Sequence, residues 1–201
     1  FPVPFLKRIK MYERLKKSLE EHVSLTNDEW ELCKNSFRPK RMLKRQFLLQ
    51  EGDICRELAF IEKGALYSYT VDSYGNKHVI RFAFDGWWMA NLHSFFTGKP
   101  TRLNIEVLED SELLVLDRKN HDVLLEEIPA YERYHRIIVQ NAYVALQLRV
   151  ENALGLTAEE KYARLIEQNP EFMNRVPLNL VASYLGMSPE TLSRVRGNFG
   201  G

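Results

Sequence analysis

The sequence predicts an α+β chain: a roll of short antiparallel strands, then one long helix, then a C-terminal helix-turn-helix. Short β-rich runs alternate with turn residues between positions 46 and 116. Apolar residues then recur at three- and four-residue spacings from about Tyr131 to Leu154. Two short helical patterns flank Gly186 near the end. The expected regions are a roll with flanking helices over 1–130, the long helix and a hinge over 131–155, and the helix-turn-helix over 156–201.

Composition narrows the class of protein. The 201 residues, 45% hydrophobic and 27% charged, suit one or two globular domains. No apolar run is long enough to span a membrane, and the opening FPVPFLKRIK is too short for a signal peptide. Cys33 and Cys55 are isolated, which predicts no disulfide framework, no metal site, no cofactor and a reducing cytoplasm. Because no nucleophile–base pair or Gly-rich phosphate loop is present, we expect no catalytic residues and no enzyme activity.

The charge is distributed unevenly along the chain. The net charge is +1, yet residues 1–50 carry twelve Lys and Arg against six Asp and Glu. Residues 157–201 carry five of each sign and are neutral. Electrostatics alone therefore does not identify the C-terminal segment as a nucleic-acid binder, and any counterion release must come from a few locally placed cations.

The first part of the chain predicts two helices and then several strands. The helices are expected over Arg8–Leu19 and Asn27–Phe37, the second capped by Thr26 or Asn27. The predicted strands are Gln46–Leu49, Leu58–Ile61, Ala65–Val71, Lys77–Phe84, Asn104–Leu108 and Glu112–Leu116. Turns are expected between them at 51–53, 62–64, 72–76, 85–86 and 109–111. The hairpin turn around Gly75 has the strongest pattern, since alternating strands flank it. Strands repeated at this spacing predict an antiparallel sandwich or roll.

Inside the predicted roll, the segment from Trp87 to Phe96 is dense in aromatic residues. Trp87, Trp88, Asn91, Phe95 and Phe96 combine apolar surface with a polar group, as the linings of small-molecule pockets do. We predict an effector pocket here. The alternative is that these aromatic side chains fill the core of the roll.

The long helix carries a repeat typical of a coiled coil. Its a- and d-type positions are Tyr134, Ile137, Asn141, Val144, Leu148 and Glu151. A single Asn in such a seam fixes register, so we predict a parallel homodimer through this helix. The alternative is a helix that packs only on its own sheet. Gly155 is expected to break the helix, and Thr157 with Glu160 forms a capping-box pattern that starts the next one.

The segment Val176–Phe199 predicts the helix-turn-helix. Leu178, Val181, Ala182 and Leu185 form one apolar face. Gly186 suits the left-handed residue that ends a helix, and Ser188 with Pro189 suits the start of the next. Leu192 and Val195 are expected inward, which leaves Glu190, Thr191, Ser193, Arg194 and Arg196 outward. In such motifs the second helix enters the DNA major groove; the alternative is an ordinary helical hairpin in a core.

The order of these parts resembles the cAMP receptor protein/fumarate–nitrate regulator (CRP/FNR) family of bacterial transcription factors, nearly end to end. The most specific stretch is LGMSPETLSR, residues 185–194, which is similar to the E-[ST]-x-[SG]-R core of the family's recognition helices. The resemblance implies that Glu190 and Arg194 read bases, that Ser193 is a third contact, and that Ser188, Pro189, Thr191 and Arg196 belong to the same interface. Arg can bind the O6 and N7 of guanine together, and Glu can accept from cytosine N4. The resemblance also implies a cyclic-nucleotide-binding-like roll, and double-stranded DNA and RNA polymerase as partners.

The chain departs from the family pattern where a cyclic nucleotide would bind. The stretch that corresponds to the family's G-E-L turn reads Met89-Ala90-Asn91-Leu92. The stretch that corresponds to its R-[ST]-A segment reads Thr101-Arg102-Leu103-Asn104, with the Arg displaced by one residue. We therefore expect no response to cAMP, and a different effector or none near Arg102 and the aromatic segment. The sensory cysteines of the iron–sulfur branch are missing, and the chain ends before the usual wing is complete.

Two functions follow from these patterns. The first is a homodimeric transcriptional regulator that binds a palindromic operator. The second is a ligand-sensing roll that has lost sequence-specific DNA binding, which the neutral C-terminal segment favours. Glu190, Ser193 and Arg194 favour the first.

Overall fold

The computed structural model describes residues 11–169 and 172–199. The opening FPVPFLKRIK, the predicted helix start at Arg8 and the final Gly200-Gly201 lie outside the described residues. Packing divides the chain into two units. The N-terminal unit holds the described residues up to Ser68 together with Phe82–Val139, and the C-terminal unit holds Tyr69–Arg81 together with the described residues from Gln140 onward.

The predicted α+β class is confirmed by the order of the elements. The strands are β1 (Arg38–Met42), β2 (Phe47–Leu49), β3 (Glu57–Val71), β4 (Lys77–Ala83), β5 (Trp88–Met89) and β6 (Asn104–Asp117). The helices are α1 (Glu13–Glu20), α2 (Asn27–Ser36), α3 (Leu92–Thr97), α4 (Arg118–Glu127), α5 (Pro129–Gly155), α6 (Ala158–Gln168), α7 (Phe172–Arg175), α8 (Leu178–Leu185) and α9 (Pro189–Phe199). None of the described helices combines the length and the apolar composition that a membrane span needs.

The strands form one sheet in the order β1-β6-β3-β4, and the pairs β1–β6, β2–β6 and β3–β5 are antiparallel. A buried core lies on each face of its central strands. Along β6, Leu113 and Val115 belong to the core inside the roll, while Leu114 and Leu116 belong to the core beneath the helices. Because successive side chains of a strand point to opposite faces, burial on both faces requires a continuous apolar run. The run Leu113–Leu116 therefore reflects two cores that share one strand.

Two predicted turns are wrong. Residues 62–64 and 109–111 lie within the continuous strands β3 and β6, so four predicted strands merge into two. Gly64 lies within β3 at a φ of 117° and packs directly against Ser111 on β6. Pairing along the sheet outweighs the local turn propensity of these polar residues. The turn at Gly75 is confirmed: the Asp72 carboxylate accepts the backbone N–H groups of Tyr74 and Asn76, each at 2.9 Å.

The sequence patterns did not predict five elements, namely β1, β5, α3, α4 and α7. α2 ends one residue before its predicted end. α1 ends one residue after its predicted end and begins at Glu13, while positions 8–10 of the prediction lie outside the described residues. Thr26, not Asn27, caps α2, because the Thr26 hydroxyl accepts from Glu29 N while the Glu29 carboxylate accepts from Thr26 N. The capping box at the start of α6 is confirmed in the same way for Thr157 and Glu160.

Candidate nucleic-acid interface

The helix-turn-helix consists of α8, a tight turn and α9. Gly186 ends α8 in the left-handed conformation at φ 70°, and Met187 N donates to Ala182 O at 3.0 Å across the turn. The Ser188 hydroxyl then accepts from Thr191 N at 3.2 Å and so caps α9. Leu192 and Val195 are buried beneath α9, as predicted. The turn, the cap and the buried side chains beneath α9 together hold the two helices of the motif.

The buried side of α8 differs from the predicted apolar face. Val181 and Ala182 are fully buried, but Leu178 is exposed and Leu180 is buried in its place. The reason is that α8 is covered on two sides. Tyr184, one turn after Leu180, packs against Phe172 with ring centroids 5.9 Å apart. The apolar spacing of the sequence therefore identified only part of the buried side of α8.

The outer face of α9 carries the predicted base-reading side chains. Glu190, Ser193 and Arg194 lie at i, i+3 and i+4 and are exposed, as are Ser188, Pro189 and Arg196, while Thr191 is partly buried. Neither Glu190 nor Arg194 has an ion-pair partner among the described residues. Hydrogen bonding to the Ser188 side chain lowers the pKa of Glu190, so this carboxylate is ionised at neutral pH and accepts only. The exposed face of α9 therefore presents a hydrogen-bond acceptor, Glu190, and a cationic donor, Arg194, about one helical turn apart.

Other cations of this unit are occupied within the chain. Lys161 Nζ on α6 donates to Ala153 O at 2.9 Å, and the Arg164 guanidinium donates to the Asn152 side chain. Both contacts connect α6 to the end of α5 across the predicted hinge at Gly155. The segment is neutral overall, but its cations have different surroundings. Lys161 and Arg164 bond α6 to α5, whereas Arg194 and Arg196 face outward on α9.

The β3–β4 hairpin contributes an unpredicted part of the C-terminal unit. Residues 69–81 pack with the helix-turn-helix, where Ser183 Oγ donates to Lys77 O at 2.6 Å. Arg149 on α5 donates to Val79 O at 3.0 Å, and its guanidinium lies 4.1 Å from the centroid of the Tyr184 ring. Sequence periodicity holds no signal for this contact, because single polar side chains bind backbone groups distant in sequence.

The long helix α5 exposes much of its apolar surface. Tyr134, predicted as the first residue of the dimer seam, is instead buried in its own chain, where its hydroxyl lies 2.8 Å from Ser18 Oγ. Asn141, Val144 and Leu148 are exposed and Ile137 is partly buried. A second row on α5 was missed: Val139, Tyr143, Leu146, Val150 and Leu154 are all exposed. Within the described chain, two apolar rows thus face solvent on one helix.

The residues predicted for an effector pocket do not meet around one cavity. Trp87 is 43% exposed, while the Trp88 indole donates to the Tyr134 hydroxyl at 3.0 Å. Phe95 is buried and Phe96 is 44% exposed, with the Arg118 guanidinium 5.7 and 5.2 Å from their ring centroids. Trp88 packs against the core inside the roll that contains Phe95, whereas Trp87 and Phe96 are exposed. A cleft of about 480 Å³ lies nearby, between β2, the turn before β3, Ala90 and Ile105, and none of the predicted pocket residues lines it.

The polar residues of the same region form a neutral pair. Asn91 caps α3 through Ser94 N at 2.9 Å and donates to the buried Thr101 hydroxyl at 2.7 Å. Arg102, the next residue, is exposed. The buried position is thus held by a hydroxyl and an amide, and the guanidinium lies outside. The described residues contain no cluster of three or more side chains that could hold a metal ion.

Comparison with known proteins agrees with this architecture. Residues 39–127 match the cyclic nucleotide-binding domain. The chain is 24% identical over 173 residues to the regulatory protein HlyX of Actinobacillus pleuropneumoniae, covering 81% of this chain and 71% of that one. It is 26% identical over 175 residues to the fumarate and nitrate reduction regulatory protein of Vibrio cholerae, covering 81% and 68%.

A solved structure extends the likeness to the fold. A transcriptional regulator of the crp/fnr family from Eubacterium rectale superposes with a TM-score of 0.67 at 14% identity, covering 88% of this chain and 84% of that one. The family pattern on α9, the matched domain in the roll and the two curated relatives point the same way. The chain is therefore similar to transcriptional regulators of the CRP/FNR family, in sequence over 81% of its length and in fold.

Proposed function

We propose that this protein binds double-stranded DNA as a homodimer and regulates transcription from a palindromic operator. The observation that carries the proposal is the open face of α9, where Glu190, Ser193 and Arg194 project from one turn of the second helix of a capped helix-turn-helix. In this motif the N-terminal residues of the second helix meet base edges. Arg194 would donate to guanine and Glu190 would accept from cytosine. RNA polymerase is the expected protein partner, and the bacterial cytoplasm the expected location.

The exposed rows of α5 support the homodimer. A helix that is apolar on several sides is normally buried. In α5 beyond Tyr134, Tyr143 is 68% exposed and Leu154 is 85% exposed. A second copy of the same helix would cover these rows and place two α9 helices for half-sites one helical turn apart, about 34 Å. The seam runs from Ile137 to Leu154, because Tyr134 is already buried.

The neutral pair in the roll supports independence from cyclic nucleotides. A cyclic phosphate buried beside Asn91 and Thr101 would lose its hydration without gaining a cationic partner, which is strongly unfavourable. Arg102 is exposed and would have to change its backbone to reach inward. An effector, if one binds, is expected to be uncharged or apolar.

Selection of binding sites from random-sequence DNA tests the proposal. The wild-type protein should return a palindrome with two half-sites. Arg194→Ala should weaken specific binding by ~1–3 kcal/mol and relax the choice at one base pair per half-site. Lys119→Ala, an exposed cation on α4, is the matched control and should return the wild-type motif.

Two results would contradict the proposal. If Arg194→Ala returns the wild-type motif, Arg194 does not read a base. If the wild-type protein enriches no sequence, the chain is a ligand-sensing roll without sequence-specific binding.

A further inference from the structure

The outer edge of β4 is bound by side chains of the helix-turn-helix unit. β4 is the last strand of the sheet order, so no strand among the described residues pairs with its outer backbone groups. Ser183 Oγ accepts from Val79 N at 2.9 Å and donates to Lys77 O at 2.6 Å. In an extended strand the C=O of one residue and the N–H of the second residue after it point to the same side. One hydroxyl therefore takes the place of a neighbouring strand.

Arg149 completes this contact from α5. Its Nη2 donates to Val79 O at 3.0 Å and reaches Tyr184 O at 3.5 Å. The guanidinium stacks 4.1 Å from the centroid of the Tyr184 ring, an attractive cation–π geometry. A single side chain thus joins the long helix, the hairpin and the end of α8. We call Lys77, Val79, Arg149, Ser183 and Tyr184 the hairpin clamp.

The hairpin clamp leaves the proposed DNA-facing surface open. Ser183 and Tyr184 lie at the C-terminal end of α8, whereas Leu178 and Asn179 at its N-terminal end are exposed. In helix-turn-helix proteins the first helix crosses the DNA backbone and the second enters the groove. Glu190 and Arg194 on α9 are exposed as well. The clamp therefore attaches the motif without covering the side chains that would meet DNA.

The hairpin is itself held rigid at its turn. The Asp72 carboxylate accepts from the backbone N–H groups of Tyr74 and Asn76 and lies 2.8 Å from His78 Nε2. Hydrogen bonding to the His78 side chain, reinforced by these contacts, holds the pKa of Asp72 well below its usual range. The turn thus presents Lys77 and Val79 in a fixed conformation, and α8 docks on an ordered edge.

We propose that Ser183 and Arg149 are positioning residues, which set the orientation of α8 and α9 for DNA by holding α8 to the edge of β4. The proposal rests on the proposed DNA-binding function and adds a determinant outside the DNA interface. Removal of the clamp should leave every DNA contact chemically intact and should loosen the arrangement in which two α9 helices meet their half-sites.

Ser183→Ala is the decisive variant, because it deletes both hydroxyl bonds and nothing else. Specific affinity should fall severalfold, up to about thirtyfold, because two hydrogen bonds of about 1 kcal/mol each can at most be lost from the arrangement that binds DNA. Ser183→Thr keeps the hydroxyl and should restore most of the affinity. Arg149→Lys should weaken binding in the same direction, since a lysine cannot reproduce the forked, stacked contact. Ser36→Ala, which removes one bond within α2, is the control and should bind as wild type does.

Two readouts separate positioning from DNA contact and from loss of structure. The slope of log affinity against log salt should stay at the wild-type value in Ser183→Ala, because no phosphate contact is removed. Discrimination between operators whose half-site spacing differs by one base pair should shrink, because a loosened motif accepts other spacings. Amide hydrogen exchange at Val79, measured without DNA, should be faster in Ser183→Ala than in Ser36→Ala.

The outcomes distinguish the two levels of the proposal. If the wild-type protein binds no DNA sequence specifically, both the proposed function and the positioning role are wrong. If wild type binds and Val79 exchanges faster in Ser183→Ala, but affinity and spacing preference are unchanged, only the positioning role is wrong. Unchanged exchange at Val79 would show that the clamp does not hold the hairpin and would also overturn the inference.

Discussion

Gly64 provides the sharpest test of how the roll is built. It lies within β3 at φ 117°, and a Cβ at this position would stand 2.6 Å from Ser111 Cβ and 2.8 Å from Ser111 Cα, and closer still to Ser111 Oγ. Gly64→Ala should therefore lower the free energy of unfolding through two effects. The left-handed backbone costs an alanine about 1–2 kcal/mol. Overpacking against Ser111 adds about 1–3 kcal/mol, for a total of roughly 2–5 kcal/mol.

Gly75→Ala is the matched control. Gly75 is also left-handed, at φ 84°, but a Cβ there meets nothing within 4 Å. This variant should lose only the backbone part, about 1–2 kcal/mol. The difference between the two variants isolates the contact with Ser111.

Far-ultraviolet circular dichroism during urea unfolding measures both changes. Gly64 lies in the N-terminal unit and Gly75 in the C-terminal unit, and the secondary structure of both units contributes to this signal. A double-mutant cycle with Ser111→Gly should return a favourable coupling of about 1 kcal/mol or more, since it removes the nearest clashing atoms. Equal losses in Gly64→Ala and Gly75→Ala, or no coupling, would refute the argument that β6 packs against Gly64.

Three further predictions concern the dimer, the effector and pH. Val144→Asp should convert the protein to a monomer in sedimentation at micromolar concentration and should abolish DNA binding. The control Val123→Asp makes the same substitution at a 36%-exposed position of α4 and should do neither. A wild-type protein that stays monomeric in the presence of DNA would contradict the homodimer. Titration calorimetry with cAMP should show no heat of binding. A micromolar dissociation constant would show that a cyclic phosphate can bind despite the neutral Asn91–Thr101 pair. Burial raises the pKa of Glu62 to about 7, although its carboxylate accepts from Leu15 N at 2.8 Å. Because the folded state holds this proton more tightly, the stability from Glu62 is fully present below about pH 4.5 and is lost as pH rises through about 7. Wild type should therefore lose up to about 3 kcal/mol relative to Glu62→Gln between pH 5 and 8 in urea unfolding, and parallel pH profiles would contradict this.

The parts of the fold that depend on local chemistry were predictable from the sequence. Gly186, Ser188 and the pair Thr157–Glu160 act through residues within a few positions of one another, so their caps could be predicted from spacing. The turns at 62–64 and 109–111 were wrong because neighbouring strands decide whether polar residues turn or continue. Periodicity placed the long helix correctly but assigned Tyr134 to a seam, since spacing alone cannot distinguish a face that packs on its own chain from one that awaits another.

At the candidate site, too, features set by local sequence were predictable, and features set by residues distant in sequence were not. Their type and spacing predicted an outward polar face, and Glu190, Ser193 and Arg194 are exposed. The aromatic segment was harder, because aromatic density fits a pocket and a packed core equally well. The Trp88 indole donates a hydrogen bond to the Tyr134 hydroxyl, and Phe95 is buried near the His121 ring, at a centroid distance of 5.8 Å. Only the positions of these partners, distant in sequence, distinguish the two cases.

The hinge predicted at Gly155 and the hairpin clamp differ in how strongly they constrain the helix-turn-helix. Gly155 ends α5, but Lys161 and Arg164 reach back over it to Ala153 and Asn152, so α6 is bonded to the helix that precedes it. These two bonds are made by long side chains on an exposed surface, where each contributes little and re-forms easily. The clamp instead uses the short Ser183 hydroxyl and the backbone of an edge strand, whose groups would otherwise need water or another strand. Arg149 adds a forked, stacked contact from α5 to the same edge. Within the C-terminal unit, the position of α8 should therefore depend more on the hairpin clamp than on the two bonds across Gly155.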